Sequence, residues 1–450
     1  MTERIDVWVA PGTSIVQDSE VGRSVIQGTA ASLRASLDEA SLKAGPLLGM
    51  AWGPGQVEVA PHAWERCVAA AGSGVALVYG DYATQSQPVQ THDPEPGSLR
   101  EEFDAGPLWL ARIDAVRGAL RELPAAAVSA SAIRYGLRLG LLRRGALRMP
   151  EQTARVSRVS VEDMFGYVRP DALALQTELE AVFTDHLRRI GAWLPPRSER
   201  FIDPEEYPVA ASVVIPVRDR VHTIGDAVTS SLSQRTSVPF NVLVVDNHSS
   251  DGTAARAREA GDARLQVLTP TRSDLGIGGC WNVAAYSALA GRYLVQLDSD
   301  DVFATPESLQ TMVYLIASGP WAMAVGAYRT VDIHGRDVAP GLVDHREWTD
   351  ENGHNNLLRV SGIGAPRVFA TGFVRGHPFP NVCYGEDYAM ALRVSREFYI
   401  ARTYDPVYVA RRWEGNTDHA TPPSVAWERE AYKNRLRTVE VMARAAGARV

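Results

Sequence analysis

The chain has 450 residues, of which 45% are hydrophobic and 22% charged, and its formal net charge at pH 7 is -7. This length predicts two or three domains, each with a sizeable core. Because the charge is negative and the basic residues are scattered, we expect no nucleic-acid partner. No run of about 18 apolar residues occurs, so we expect no membrane span, and the N-terminus lacks the apolar stretch of a signal peptide.

The three cysteines are widely spaced and form no Cys-x-x-Cys pair. Their odd number argues against a disulfide framework, and their spacing argues against a zinc site. Free thiols are typical of a reducing compartment, so we expect a cytoplasmic protein.

The first part of the chain carries two patterned segments. Residues 74–82, GVALVYGDY, are an apolar run followed by a polar turn, which is typical of a buried strand and the loop after it. Residues 135–155 combine a helix rich in leucine and arginine with a short basic strand. A boundary is expected at residues 194–208, which hold four prolines and many charges. We therefore predict an N-terminal α/β domain at 1–195 and a second domain at 209–450.

Beyond this boundary, short apolar runs alternate with segments of helical spacing. This alternation implies βαβ units with right-handed crossovers, and hence an α/β fold with a Rossmann-like, mostly parallel sheet. Ligands bind beyond the carboxyl ends of the strands in such sheets. The predicted strands are 211–216, 241–245, 265–268 and 293–297, and the predicted helices are 223–234, 253–260, 279–290 and 306–315.

The sequence QLDSDD follows the strand predicted at 293–297. Its carboxylates, Asp298, Asp300 and Asp301, repel one another unless a positive charge lies between them. Mg²⁺ or Mn²⁺, which prefer oxygen ligands, would supply that charge and neutralise a diphosphate leaving group. The alternative is an acidic turn in which Asp301 opens the helix at 306–315.

Three further motifs follow predicted strands or open predicted helices. In VVDNHSSDGT, Asp246 ends a buried strand, where its carboxylate is placed to accept hydrogen bonds from a nucleotide, whereas Asp251 fits a helix cap. In DLGIGGCWN, residues 274–282, three glycines permit close approach of the backbone to a ligand, although no phosphate-loop or G-x-G-x-x-G pattern is present. In YGED, Glu386 and Asp387 open a helix, and one of them is placed to deprotonate an acceptor or simply caps the helix.

These motifs, in this order, resemble the family-2 glycosyltransferases of the GT-A fold. The segments that carry the resemblance are ASVVIPVRDR, VVDNHSSDGT, LGIGGCWN, QLDSDD and YGEDYAMALRV, within residues 210–415. The resemblance implies transfer of a sugar from a nucleotide-diphosphate sugar, with a UDP-sugar as the best expectation, to an acceptor hydroxyl. It further implies Mn²⁺ or Mg²⁺ as cofactor and a single displacement that inverts the anomeric carbon.

The resemblance also implies a role for each motif residue. Asp298 and Asp300 would hold the ribose and the metal–diphosphate group, and Asp387 would be the general base, with Glu386 as the other catalytic candidate. Trp413 lies where acceptor loops often occur and would stack on a sugar, although a core position explains it equally well. The donor-binding residues implied are Pro216, Val217, Arg218, Asp246, Asp274, Gly276, Asn282, Asp298 and Ser299.

The sequence departs from the processive members of that family, which carry Q-x-x-R-W. Residues 409–413 read VARRW, so we expect transfer of a single sugar. In the N-terminal region, residues 74–82 resemble 293–301, and residues 135–155 resemble 388–411. This echo fits a degenerate GT-A-like unit without catalysis and an unrelated α/β domain equally well.

Two other functions are compatible with parts of this pattern. A sugar-1-phosphate nucleotidyltransferase has a similar sheet but opens with G-x-G-T-R, whereas the first turn here reads PVRDR. A non-catalytic protein that binds sugar nucleotides would not need Asp298, Asp300 and Asp387 together.

Overall fold

The structure is a computed structural model of the chain. It describes residues 5–16, 22–27, 33–53, 55–72, 74–157, 172–196, 200–346, 349, 352–416 and 421–447. The described residues form two compact units. The first comprises those up to Trp193 together with Asn434–Ala446, and the second comprises those from Leu194 to Lys433 together with Gly447.

The first unit is built on one sheet flanked by helices. Helix α3 illustrates how the sequence forms these elements, because its buried residues Ile113, Val116 and Leu120 recur on one helical face. The strands are β1 (Ile5–Val9), β2 (Thr13–Val16), β3 (Gly22–Gln27), β4 (Leu47–Ala51), β5 (Gly55–Val59), β6 (Leu77–Ala83), β7 (Pro88–Val89), β8 (Leu108–Arg112) and β9 (Ala146–Val156). The helices are α1 (Leu33–Lys43), α2 (Ala63–Ala71), α3 (Ile113–Glu122), α4 (Ala130–Arg143) and α5 (Leu173–Arg189). The strand order is β2-β5-β9-β6-β8-β4-β1-β3, with β7 beside β6.

The second unit is also one sheet flanked by helices. Its strands are β10 (Ala211–Val217), β11 (Phe240–Asp246), β12 (Leu265–Leu268), β13 (Tyr293–Gln296), β14 (Val302–Phe303), β15 (Met323–Asp332), β16 (Asp337–Val343), β17 (Arg367–Ala370) and β18 (Ile400–Arg412). Its helices are α6 (Ile224–Leu232), α7 (Thr253–Arg258), α8 (Ile277–Tyr286), α9 (Ser308–Ala317), α10 (Gly353–Asn356), α11 (Thr371–Gly376) and α12 (Glu386–Ser395). Helix α13 (Pro423–Ala445) begins in the second unit, and its residues from 434 onward belong to the first.

The α/β fold class is confirmed, and the strands and helices predicted between 211 and 317 are present with ends shifted by at most a few residues. The sheet order is β12-β11-β10-β13-β17-β15-β18-β14, with β16 beside β15. The first four strands are mutually parallel, while β17, β14 and β16 run antiparallel to their neighbours, so the sheet is mixed. In the part of the chain that the structure describes, no helix is long and apolar enough to cross a membrane.

The parallel half of the second sheet places the sequence motifs. Strand β10 is buried along almost its whole length, which explains its continuous apolar sequence. It lies between β11 and β13, and its register pairs Val217 with Asp246 and Val214 with Gln296. Because the three strands are parallel, their carboxyl ends, and the polar residues that follow them, meet at one edge of the sheet.

Candidate active site

The acidic turn after β13 is tied to strand β18. Asp300 Oδ2 accepts hydrogen bonds from Trp413 Nε1 at 3.1 Å and from Asn416 Nδ2 at 2.9 Å. Asp301 is 7% exposed, and its carboxylate accepts from the Tyr408 hydroxyl at 2.8 Å and from the Arg411 backbone N–H at 2.7 Å. Asp301 therefore anchors β18, and the alternative prediction that it opens the following helix is wrong.

The electrostatics of this turn distinguish its carboxylates. Burial raises the pKa of Asp298, and the charges of Asp300 and Asp387 add to the shift, while Arg367 and a hydrogen bond from Gln296 oppose it. Burial also raises the pKa of Asp301 well above its usual range. Several carboxylates thus share a desolvated site that lacks enough positive charge to hold all of them ionised.

A chain of hydrogen bonds connects this turn to the carboxylate pair of helix α12. Gln296 Nε2 donates to Asp298 Oδ1 at 2.9 Å, and Gln296 Oε1 accepts from Arg367 Nε at 2.9 Å. The Arg367 guanidinium in turn forms an ion pair with Asp387. Arg367, the first residue of β17, is 12% exposed. Arg367 belongs to none of the sequence motifs, although a charged residue that opens an apolar strand was a usable signal.

The two carboxylates that open α12 lie in different environments, as the angle between adjacent helical side chains predicts. The Asp387 side chain is 25% exposed, and its Oδ1 accepts the Tyr388 N–H at 2.7 Å. Glu386 is 7% exposed, and its Oε2 has no hydrogen-bond partner among the described residues. Burial, reinforced by the charge of Asp387, raises the pKa of Glu386 to about 8. At neutral pH, Glu386 is therefore largely a neutral acid.

The end of β11 presents two buried acceptors. Asp246 is 4% exposed and Asn247 is 6% exposed, and among the described residues the Oδ1 atom of each lacks a hydrogen-bond partner. The Asn247 amide donates to the Leu275 carbonyl at 2.8 Å, which fixes its orientation. Buried polar groups are nearly always hydrogen-bonded, so two orphaned acceptors at this edge fit a ligand that supplies N–H or O–H donors.

The glycine segment has a structural explanation different from the one predicted. A Cβ atom at Gly276 would lie 2.4 Å from the Val382 carbonyl, and one at Gly278 would lie 2.0 Å from the Pro380 carbonyl. The glycines thus permit close approach of another backbone segment. Asn282 serves the same segment, because its amide exchanges two hydrogen bonds of 2.9 Å with the Phe379 backbone. Contacts of Gly276 and Asn282 with a ligand stay predictions.

The remaining residues from the sequence motifs are more peripheral. The Val217 side chain is 4% exposed and packs in the core beside the half-buried Pro216, whereas Arg218 is 61% exposed. Asp274 is 65% exposed, and its ion pair with Arg272 at 2.6 Å lowers its pKa. Ser299 is 8% exposed within the acidic turn. Trp413, half-buried, is oriented by its bond to Asp300, so its proposed stacking on a sugar remains untested.

Asp298 and Asp300 fit part of a divalent-cation site. In the described ranges, no three His, Cys, Asp or Glu side chains converge as metal ligands. Two carboxylates nevertheless suit Mg²⁺ or Mn²⁺ bound with a diphosphate, because phosphate oxygens and water then complete the coordination. The mutual charge effect between Asp298 and Asp300 is what such a cation would relieve.

This arrangement of sheet and carboxylates agrees with the comparisons. Residues 212–365 match Glycosyl transferase family 2. Over 190 residues, 41% of this chain and 70% of the relative, the chain is 29% identical to WfgD of Escherichia coli, a UDP-Glc:alpha-D-GlcNAc-diphosphoundecaprenol beta-1,3-glucosyltransferase. These matches indicate a glycosyltransferase, whose second unit carries a segment similar to Glycosyl transferase family 2.

Solved structures with a similar fold include two with bound nucleotides. One is TarS from S. aureus with UDP-GlcNAc, 20% identical with a TM-score of 0.40, covering 53% of this chain and 73% of TarS. Another is glucosyl-3-phosphoglycerate synthase from Mycobacterium tuberculosis with Mn²⁺, UDP and glucosyl-3-phosphoglycerate. It is 16% identical with a TM-score of 0.35, covering 57% of this chain and 89% of that chain. Likenesses at this level assign no ligand to this chain.

Proposed function

We propose that the second unit transfers a single sugar from a UDP-sugar to an acceptor hydroxyl, with a divalent cation, inversion at the anomeric carbon and Asp387 as general base. The observation that carries the proposal is the bonded series Asp298, Gln296, Arg367 and Asp387. These bonds hold Asp298, which is expected beside the donor, in a defined position relative to Asp387, which is expected beside the acceptor. The E. coli relative, which uses UDP-Glc, supports the choice of donor class.

The nucleotide is proposed to bind at the end of β11. The orphaned Oδ1 atoms of Asp246 and Asn247 supply acceptors for the N–H groups of a uracil ring or the hydroxyls of ribose. Because these acceptors are buried, leaving them unpaired is unfavourable in free energy. A ligand that donates hydrogen bonds to them removes this penalty and so binds more tightly.

Asp298 and Asp300 are proposed to hold Mn²⁺ or Mg²⁺ together with the donor diphosphate. The cation would neutralise charge on the departing diphosphate. Trp413 and Asn416 hold Asp300 Oδ2, so the carboxylate is already oriented before any ligand binds. Pre-oriented ligands reduce the conformational entropy lost on binding.

In the proposed reaction, Asp387 receives the proton of the acceptor hydroxyl as that oxygen bonds to the anomeric carbon. The bond from this carbon to the diphosphate breaks at the same time, and the nucleoside diphosphate leaves with the electron pair. Asp387 suits the task better than Glu386 because it is partly exposed, so an acceptor can reach it, and because its ion pair with Arg367 orients the carboxylate. Glu386, whose pKa is raised to about 8 by burial, is mostly protonated at neutral pH.

Incubation of the protein with a panel of nucleotide sugars and Mn²⁺ or Mg²⁺, with release of nucleoside diphosphate as the readout, tests the donor. We expect UDP-sugars to be hydrolysed slowly without acceptor and the activity to disappear in EDTA. The anomeric configuration of a glycosylated product, measured by NMR couplings, tests the mechanism. A product with the anomeric configuration of the donor would contradict the single displacement.

A further inference from the structure

The two units share one sheet topology. Strands β3, β1, β4, β8, β6, β9 and β5 occur in the same spatial order as β11, β10, β13, β17, β15, β18 and β14. Each equivalent pair of neighbours also runs in the same relative direction. The short strands β7 and β16 are antiparallel partners of β6 and β15. The two units differ in one edge strand each. In the first unit β2 pairs with β5, and in the second β12 pairs with β11, at the opposite edge of the shared order.

The helices follow the same plan along the chain. In both units a helix leads directly into an equivalent strand, α1 into β4 and α8 into β13, whereas α6 and α7 have no counterpart among the described residues of the first unit. Two helices, α3 with α4 and α11 with α12, lie between the last two strands of each unit. Agreement of strand order, direction and helix placement indicates an internal duplication. The predicted correspondence of residues 74–82 with 293–301 is wrong. The topology makes β6, which contains most of 74–82, equivalent to β15 and not to β13.

The strand register makes the comparison residue by residue. Tyr293 pairs with Ala370, the last residue before α11, and Leu47 pairs with Arg112, the last residue before α3. Tyr293 and Leu47 are therefore equivalent. The N–H that opens each following helix confirms the register, since Thr371 donates to the Arg292 carbonyl at 2.9 Å and Ile113 to the Pro46 carbonyl at 3.0 Å.

Counting along these strands places a tryptophan at each of two active-site positions. Trp52 stands five residues after Leu47, as Asp298 stands five after Tyr293. Trp109 stands three residues before Arg112, as Arg367 stands three before Ala370. The first unit thus has indole rings at the positions of the donor-side carboxylate and of the arginine that pairs with Asp387.

The helices supply the third equivalence. The hydroxyl of Tyr388 donates to the Leu357 carbonyl at 2.5 Å, and the hydroxyl of Tyr135 donates to the Leu99 carbonyl at 2.6 Å. These tyrosines are equivalent, so Arg134 occupies the position of Asp387.

The same positions also touch in both units. Arg367 forms an ion pair with Asp387, and the Arg134 guanidinium lies 5.5 Å from the ring centroid of Trp109 and 5.5 Å from that of Trp52. The positive charge lies on strand β17 in the second unit, as Arg367, and on helix α4 in the first, as Arg134. Neither Trp52 nor Arg134 is a carboxylate, unlike Asp298 and Asp387 at the equivalent positions.

The cluster of Arg134, Trp52 and Trp109 contains polar groups without hydrogen-bond partners among the described residues. Among the described residues, the guanidinium of Arg134 makes no hydrogen bond or ion pair, and the nearby Asp104 affects its pKa without pairing with it. Trp52 is 3% exposed, and its Nε1–H has no acceptor in the part of the chain that the structure describes. Burial lowers the pKa of Arg134, which records the cost of holding this charge out of water. A partly desolvated cation with free N–H groups favours an anion as its ligand.

We propose that the first unit is a non-catalytic duplicate of the second whose centre, formed by Arg134 with Trp52 and Trp109, binds a phosphate-bearing anion without metal. The charge at the position of the base is reversed from negative to positive, so the centre takes the anion directly. The anion-binding part of the proposal rests on the topology of both units and on contacts within the first, whereas the non-catalytic character of the first unit rests on the function proposed for the second.

Titration of the full-length protein with inorganic pyrophosphate in EDTA, followed by calorimetry, tests this centre. We expect one equivalent to bind and Arg134→Gln to weaken binding about 10–100-fold, the effect of losing a charge-assisted hydrogen bond. Trp52→Phe keeps an aromatic side chain of smaller size and removes the N–H donor, so it should weaken binding by a smaller factor. The exposed Arg121 on α3 provides the matched control, and Arg121→Gln should bind like the parent.

Parallel titrations with phosphate and acetate distinguish a phosphoryl ligand from a carboxylate ligand, and tight acetate binding with no phosphate binding would overturn the stated ligand class. Absence of pyrophosphate binding would overturn the proposal, as would binding that Arg134→Gln and Trp52→Phe leave unchanged. If Arg134→Gln loses its cooperative thermal transition, Trp52→Phe decides.

Discussion

The two units of this protein have the same sheet and opposite chemistry at its centre. In the second unit, Asp298, Arg367 and Asp387 form a charged network, while the first unit places Trp52, Trp109 and Arg134 at the equivalent positions. The order and direction of the strands do not depend on these side chains. The fold therefore comes from the buried strands and helices, and the proposed function depends on a few residues at one edge.

The comparison also shows what the charged network costs the second unit. Its carboxylates are desolvated, and burial raises the pKa of Asp298 and Asp301. In the first unit, Trp52 packs against Trp8 and Trp109 with ring centroids 4.9 Å and 5.2 Å apart. Aromatic packing of this kind stabilises a fold by about 0.5–1.5 kcal/mol per pair beyond area burial. The second unit forgoes that stabilisation at the positions where ligands are expected.

The largest expected effect tests whether all activity belongs to one unit. Asp300→Ala removes a proposed metal ligand, and EDTA removes the metal. A bound cation contributes several kcal/mol, so we expect a loss of roughly 10³-fold or more. The protein should stay folded by circular dichroism. The matched control is Asp337→Ala, because Asp337 is 61% exposed in a surface ion pair. Full activity in both the variant and the EDTA-treated protein would contradict the metal assignment.

The second effect tests Asp387, whose equivalent in the first unit, Arg134, carries the opposite charge. Asp387→Asn keeps the side-chain shape but removes the basic oxygen, so turnover should fall about 10²–10⁴-fold while donor affinity stays nearly constant. Glu386→Gln should reduce turnover less, because Glu386 is buried and mostly protonated. Steady-state kinetics with Asp337→Asn as control measures both. Near-normal turnover in Asp387→Asn would move the base assignment to Glu386.

A smaller effect is expected at the nucleotide. Asp246→Ala removes a buried acceptor, which costs about 1.5–3 kcal/mol, or one to two decades in affinity. Calorimetric titration with UDP measures the loss, and Asp262→Ala, at an ion pair that is partly exposed, serves as control. Unchanged affinity in Asp246→Ala would remove this residue from the site and leave Asn247 as the remaining orphaned acceptor of β11.

The last effect concerns stability and pH and is not an effect on activity. Because burial raises the pKa of Glu386 from 4.5 to about 8, the folded state holds a proton that the unfolded state releases. This contribution to stability is complete below the unfolded pKa and is lost between pH 4.5 and about 8, with a slope of at most about 1.4 kcal/mol per pH unit. Glu386→Gln should remove that slope, because glutamine does not titrate in this range. Chemical denaturation from pH 5 to 8 measures it, and identical slopes in parent and variant would show that Glu386 is not buried as a neutral acid.

The sequence predicted the elements that carry the motifs because their signals are local. Val-rich runs such as 211–216 and 241–245 are buried along their length, and such strands read as continuous apolar segments. The position of Asp246 after the run 241–245, and that of Asp298 after the run 293–297, followed from the same reasoning. Parallel neighbours bring their carboxyl ends together whatever the details of packing.

The contacts that explain other motif residues involve segments far away in the sequence. Gly276 and Gly278 looked like a loop that approaches a ligand, yet the atoms nearest to an added Cβ belong to Pro380 and Val382, about 100 residues away in the sequence. Asn282 bonds to the backbone of Phe379. Arg367 escaped notice because its partners, Gln296 and Asp387, become neighbours only when β17 inserts antiparallel beside β13.

The sequence by itself determined the α/β class, the order of strands and helices between 211 and 317, and the carboxylates at the ends of those strands. Hydrophobic periodicity and strand-end chemistry depend only on residues a few positions apart, so they can be read along the chain. Only the tertiary structure decided which charges meet and which strands of the two units are equivalent. Those facts depend on pairing between strands far apart in sequence, and strand register is fixed by packing of the whole sheet. For that reason the likeness between the two halves was visible in the sequence, but the exchange of Asp387 for Arg134 was not.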